Sequence, residues 1–196
     1  MSDDAAPART KRVDARRNEQ ALLDAAAAVF VASGVDAPVR EIAATAGVGM
    51  GTIYRHFPTR ADLVVAVYRH QIDACAEAGP RLLREAASPF AALAAWIDLF
   101  VDFLVTKHGL GGALRDDPAG YGALHLSFVD RLAPVCDELL AASRSSGEVE
   151  SDLTALELMR GVGNLCVTSG PADEYDPRRL VPVLIAGLRT PAPSGP

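Results

Sequence analysis

The chain has 196 residues, 49% of them hydrophobic and 22% charged, with a formal net charge of −6. Such length and balance describe a globular protein with a packed core in one large or two small domains, and exclude a disordered or membrane-embedded chain. No apolar run approaches the roughly 20 residues that span a bilayer, and the polar, arginine-rich opening lacks a secretory hydrophobic segment, so a cytoplasmic protein with no membrane partner is expected.

The acidity is unevenly spread. Residues 1–70 hold 9 Lys+Arg against 8 Asp+Glu, whereas residues 71–196 hold 10 against 17. Between residues 9 and 17, Arg9, Lys11, Arg12, Arg16 and Arg17 oppose only Asp14. Phosphate contacts are supplied by local patches rather than by net charge, so this end is the candidate nucleic-acid side. A solvated basic tail with no partner is the alternative. Residues 1–14 are polar and lack periodicity, and are expected to form a disordered basic arm.

In chain order, Leu22, Ala26, Val29, Phe30 and Ser33 recur at helical spacing, which predicts a first helix from about Arg16 to Ser33 that stops at Gly34. Pro38 suits the first turn of a second helix whose Val39, Ile42, Ala43 and Ala46 face inward. Gly47 ends it and Gly49 permits a sharp turn. A third helix, Met50 to Phe57, is too short to stand alone and must be held by Val48, Ile53 and one aromatic ring. Pro58 breaks it, and Thr59-Arg-Ala-Asp62 matches a capping box that opens a fourth helix. That helix carries Leu63, Val64, Val67, Tyr68 and Ile72 to about Ala78, where Gly79-Pro80 is expected to interrupt it.

Beyond residue 79 the pattern stays helical. Ser88-Pro89 opens a helix with Phe90, Leu93, Ile97, Phe100, Val101 and Leu104 on one face, ended by Gly109. A glycine-rich connection, Gly109 to Gly122, follows. Leu124, Phe128, Leu132, Val135, Cys136, Leu139 and Leu140 mark the next helix, bent or split at Pro134. Asp152 to about Ser169 forms another, and Asp176-Pro177 opens the last, with Leu180, Leu184 and Leu188. The proline-rich residues 190–196 are expected to be a disordered tail. No strand or repeat stands out, so the fold class is all-α. Cys75, Cys136 and Cys166 are scattered, with no C-x-x-C pair and no histidine cluster. They are expected as small buried hydrophobes rather than as a disulfide framework or zinc site, and no metal or cofactor is expected.

Two short helices joined by a glycine turn, the second stubby, aromatic and basic, have the build of a helix-turn-helix, whose second helix lies in the DNA major groove. A recognition helix needs short or polar residues at its leading end to approach base edges, and donors on its flanks for phosphates. Gly49, Met50, Gly51, Thr52 and Arg55 fall on the leading, outer part. Thr52 offers a hydroxyl or methyl, and Arg55 a fork for guanine. Tyr54, His56 and Arg60 have the chemistry for phosphate contact, as does Arg40 in the first turn of the second helix. Thr59 adds a hydroxyl, although capping alone accounts for it. Each has a plainer alternative: Tyr54 as core, His56 as a surface histidine, Met50 as a loop residue.

Residues from about Arg16 to Tyr68 resemble the DNA-binding domain of the tetracycline-repressor (TetR) family. The resemblance rests on Val29-Phe30 with Gly34, Val39-Arg-Glu-Ile-Ala, Ala46-Gly-Val-Gly, Gly51-Thr-Ile-Tyr-Arg-His-Phe57 and Arg60-Ala-Asp-Leu63. It implies phosphate contacts from Tyr54 and His56, and from Arg60 where the family usually has lysine. Gly49 and Met50 stand where the family often has serine and a polar residue, so base readout there is expected to use shape or apolar contact. The resemblance further implies a homodimer on a near-palindromic double-stranded DNA operator, acting as a repressor released by a small molecule. The expected organisation is a reader over residues 15–60, linked through a helix over 60–78 to a ligand-binding and dimerisation body over 79–189.

On the family pattern the last two helices pair with their symmetry mates as a four-helix bundle, for which Gly161-Val-Gly163 and the Leu180, Leu184, Leu188 stripe are suited. Packing within one monomer core is the alternative. A ligand pocket is expected among the helices from Phe90 to Cys166, with Trp96, Phe100, Phe103, Tyr121, His125 and Phe128 as wall candidates, or else as plain core. Asp98 and Asp102 could meet a cationic ligand or simply face solvent.

Two other functions compete. An enzyme finds little support: Gly47-x-Gly49-x-Gly51 is followed by Thr52 where a dinucleotide fingerprint needs its third glycine, and a helix precedes it where a strand is required. No paired catalytic carboxylates, nucleophile elbow or metal-ligand spacing appears, so no catalytic residue is assigned. The second is an all-α protein-interaction module that has lost specific DNA binding, to which the acidic net charge and Met50 lend weight.

Overall fold

In the computed structural model the described residues form the helices α1 (Ala6–Ser33), α2 (Val39–Ala46), α3 (Met50–His56), α4 (Arg60–Glu85), α5 (Pro89–Ala113), α6 (Pro118–Ser145), α7 (Ala155–Leu165) and α8 (Pro177–Ala186). The structure describes residues 6–113, 118–166 and 176–189, with side chains over 17–104, 126–166 and 176–189. The expected tail over 190–196, the side chains of Arg9, Lys11, Arg12, Asp14 and Arg16, and those of Tyr121, Leu124 and His125 lie outside them. No strand occurs among the described residues, where an isolated antiparallel bridge joins Val149 to Arg189. The all-α expectation holds.

The first three helices follow the sequence pattern closely. Leu22, Ala26, Val29 and Phe30 of α1 are buried, and the amide of Gly34, at φ 78°, closes the helix on the Phe30 carbonyl at 2.9 Å. The expected disordered arm gives way from Ala6 onward, because α1 starts there rather than near Arg16. Alanine, arginine and lysine, which make up most of that segment, favour helix, so the backbone continues without needing an apolar stripe. Ile42 and Ala43 bury α2, with Val39 and Ala46 partly covered. Gly47 caps α2 at φ 65°, a left-handed conformation that a side chain would strain.

Three expected breaks are absent. α4 runs unbroken through Gly79-Pro80, α5 continues past Gly109 to Ala113, and α6 passes Pro134. Both prolines sit on exposed faces, where water can take the carbonyls that lose their helical partner. Packing supplies the rest: Gly79 is buried, and a methyl there would overlap the Val135 Cγ1 atom of α6. The close approach of α4 to α6 therefore uses the glycine that locally reads as a stop. The expected boundary at residue 79 falls inside one continuous helix shared by the two halves of the chain. The glycine-rich connection shrinks from 109–122 to 114–117, which lies outside the described residues.

α7 is shorter than expected, starting behind Thr154 and ending at Cys166. Thr154 and Glu157 form a capping box, and Asp176 caps α8 by accepting from the Arg178 amide. On α8 the buried residues are Val181 and Ile185, with Leu188 buried just beyond its end, whereas Leu180 of the expected leucine stripe is exposed. All three cysteines are buried and free, as expected. Burial pushes the Cys75 and Cys136 thiols up to about 12, which leaves both uncharged at neutral pH.

The centre of the body is aromatic. Trp96, Phe100, Phe103 and Phe128 are buried against one another, with ring centroids 5.6 Å apart for Trp96–Phe100 and 5.5 Å for Phe103–Phe128. Trp96 also donates its indole N–H to the Cys75 carbonyl at 2.9 Å. These four expected pocket walls thus pack together as core. Flat rings at this spacing bury more area against each other than they would around a void.

Candidate nucleic-acid interface

The geometry of α3 follows from what holds it. Ile53 is its buried residue, and Phe57 behind it is the aromatic anchor, its amide bonded to the Ile53 carbonyl at 2.8 Å. Val48 packs partly against the same core, with its amide on the Ala43 carbonyl at 3.0 Å. A helix of two turns gains little from its own hydrogen bonds, so these contacts set its position. Gly49 precedes it in an extended conformation as the N-cap, and the Thr52 amide turns back to the Gly49 carbonyl at 2.9 Å.

With Ile53 turned inward, the rest of α3 faces out. Met50 is 51% exposed and Tyr54 49% exposed, and Gly51, Arg55 and His56 are exposed too, while Thr52 is half-buried. The core alternative for Tyr54 is thereby excluded. Arg40 is exposed on the first turn of α2. The structure brings Gly49, Met50, Gly51, Thr52, Tyr54, Arg55 and His56 onto one short helix end, with donors, a guanidinium and small residues together. That mixture suits base edges and flanking phosphates.

Thr59 and Arg60 have other partners. The Thr59 hydroxyl accepts from the Asp62 amide at 3.1 Å, and Asp62 accepts from the Thr59 amide at 3.0 Å, completing the expected capping box. The Arg60 guanidinium donates to the carbonyl of Val35 and, at 2.7 Å, to that of Ala37, and lies 5.9 Å from the Phe30 ring centroid. It fastens the start of α4 to the α1–α2 loop, an internal partner at a position expected to meet phosphate. Carbonyls of an irregular loop have no helical donors, and one guanidinium nitrogen carries two N–H groups that can serve two of them.

In the body, Asp102 pairs with Arg178 at the start of α8, which answers the cationic-ligand reading of that carboxylate. Sequence reading passed over Gln71, a buried polar residue within the apolar stripe of α4. Its position between Val67, Tyr68, Ile72 and Cys75 was the available signal, since a polar group on a core face asks for a partner.

Two family models match the chain: the bacterial regulatory proteins of the tetR family over residues 22–67, and the SbtR-like transcriptional regulator C-terminal domain over residues 88–190. A TetR transcriptional regulator of Streptomyces coelicolor is 34% identical, with 89% of this chain and 99% of that one covered and a TM-score of 0.72. A TetR regulatory protein of Mycobacterium vanbaalenii is 31% identical, over 91% and 99% of the two chains, with a TM-score of 0.66. FadR of Bacillus subtilis, solved with stearoyl-CoA, shares the fold at 23% identity, over 86% and 96% of the two chains, with a TM-score of 0.52. A helix-turn-helix transcriptional regulator of Staphylococcus aureus is 38% identical over 63 residues, 32% of this chain, and that match spans about a third (34%) of the relative's length. The chain belongs to the TetR family of bacterial transcriptional regulators, with a helix-turn-helix DNA-binding domain ahead of a helical C-terminal domain.

Proposed function

We propose that this chain represses transcription as a homodimer on a short, nearly two-fold symmetric DNA site, and leaves it when a small ligand binds. The carrying observation is the outward face of α3, where Tyr54, Arg55 and His56 stand exposed and Thr52 half-exposed around a buried Ile53 anchor. Arg55 forks onto a guanine, Thr52 meets a base edge, and Gly49, Met50 and Gly51 read shape and apolar surface. Tyr54, His56 and Arg40 position the helix on phosphates, with the Thr59 hydroxyl beside them.

Support for the dimer comes from α7 and α8, where Leu156 is 49%, Leu180 44% and Val183 67% exposed. Apolar side chains on two adjacent helices match an isologous bundle with a second copy. A small-molecule ligand is consistent with the stearoyl-CoA found in the Bacillus subtilis relative.

Selecting bound sequences from random duplex DNA with purified protein tests the reading. A short near-palindrome should emerge, bound less tightly as salt rises. Arg55→Ala should relax the preference at one position in each half-site, by about 1–3 kcal/mol for a bidentate contact. No enrichment at any salt would sink the proposal, and a monomeric protein by light scattering would remove the dimer.

A further inference from the structure

A groove of about 490 Å3 opens between α1, α4 and α5, away from the aromatic residues expected to line a pocket. Its size falls in the range of small-molecule sites. Ala27 and Val31 of α1, Ala74 and Ala78 of α4 and Leu99 of α5 make its walls apolar. Cys75 adds a buried neutral thiol, turned to the Leu99 carbonyl at 3.7 Å.

The charged residues of the groove are already engaged. Asp102 is paired with Arg178, and Arg81 with Glu85 at 3.0 Å. A charged ligand would compete with these pairs, whereas a neutral one would not. One polar group in the wall differs. Gln71 is 9% exposed, and its Oε1 is buried with no hydrogen-bond partner. An unmet buried acceptor costs about 1–3 kcal/mol. Gln71 lines the groove and the last torsion of glutamine is soft, so its amide can turn to offer that oxygen to a bound molecule.

We propose that this groove binds a neutral, mostly apolar small molecule carrying one N–H or O–H donor, which Gln71 accepts. The site touches α1 of the DNA-binding domain, α5 of the C-terminal domain, and the α4 helix, which starts inside the first matched region and ends just before the second. A molecule seated there fixes α1 against α4 and α5, and so biases the angle at which α3 is presented. That regulatory consequence rests on the DNA-reading proposal, but the binding itself does not.

The test is calorimetric titration of the full chain, without DNA, using two probes. Indole is apolar with one N–H donor, and benzothiophene has nearly the same shape without it. Indole should bind at one site per chain, about tenfold more tightly than benzothiophene. Gln71→Leu should abolish that preference while leaving the melting temperature unchanged or raised, because it removes an unmet polar group. Ala28→Phe, which adds a ring at an exposed groove position, should abolish binding of both probes in a protein that still melts cooperatively. Absence of indole binding up to its solubility limit would overturn the proposal. So would indole binding that Ala28→Phe leaves intact, or a donor preference that survives Gln71→Leu. Because no DNA is present, these failures are separate from failure of the DNA selection.

Discussion

Arg60→Ala should destabilise the DNA-binding domain before it alters any DNA contact. The substitution removes the donations to the Val35 and Ala37 carbonyls and the contact with the Phe30 face. A hydrogen bond from a charged donor contributes about 1.5–3 kcal/mol, and an exposed cation–π contact about 0.5–1 kcal/mol. Both hydrogen bonds leave one nitrogen at a half-buried site, so the loss should total roughly 2–3 kcal/mol rather than the full sum. For a chain of this size that lowers the melting temperature by about 5–10 °C. Arg60→Lys keeps the charge but loses the planar guanidinium that lies by the Phe30 ring and aims two N–H groups of one nitrogen, and should recover less than half of the loss. Calorimetric melting without DNA measures this directly, and the salt dependence of DNA binding supplies the contrast. Loss of one phosphate contact would lower the slope of log K against log salt by about 0.9. Unchanged melting with a lowered slope, restored by Arg60→Lys, would refute the clamp and return Arg60 to the phosphates.

Gly79→Ala should destabilise by roughly 1–2 kcal/mol, the overlap with Val135 Cγ1 outweighing the helix propensity gained, and in a Val135→Ala background it should instead be neutral or stabilising by up to about 1 kcal/mol. Denaturant titration of the double-mutant cycle reads the sign change. Hydrogen bonds from the Ser88 hydroxyl, the Phe90 amide and Ser146 hold the Glu148 carboxyl below its ordinary 4.5. Its contribution is therefore complete above about pH 4.5 and is lost as pH falls through the lower folded value, so Glu148→Gln should flatten the acid side of a urea-midpoint profile while leaving its slope above pH 6 unchanged.

What could be read without the structure was local. The capping box at Thr59, the cap at Asp176, the glycine stop at Gly34 and the inward stripe of Ile42 and Ala43 depend on residues within a turn or two of each other. The same holds for the outward set on α3, because burying Ile53 and Phe57 fixes which side of so short a helix faces away. The family resemblance covered that segment and pointed to the body only by implication.

Other questions depended on neighbours far along the chain. Gly79-Pro80 reads as a break until α6 arrives, since the freedom of glycine and the lost amide of proline are local costs that long-range packing outweighs. Arg60 is chemically fit for a phosphate or a carbonyl, and only the tertiary structure brings the carbonyls of Val35 and Ala37 beside it. Trp96, Phe100, Phe103 and Phe128 suit a ligand wall or a core equally well by type, and their mutual stacking settles them as core. The sequence by itself determined where most helices lie, several of their caps and which face of α3 points outward, because those follow from propensity and periodicity along one strand of chain. Only the tertiary structure decided where the chain closes on itself, which cations are already occupied, and where a groove is left open. Those depend on which surfaces meet across α1, α4, α5 and α6, and no local pattern encodes that meeting.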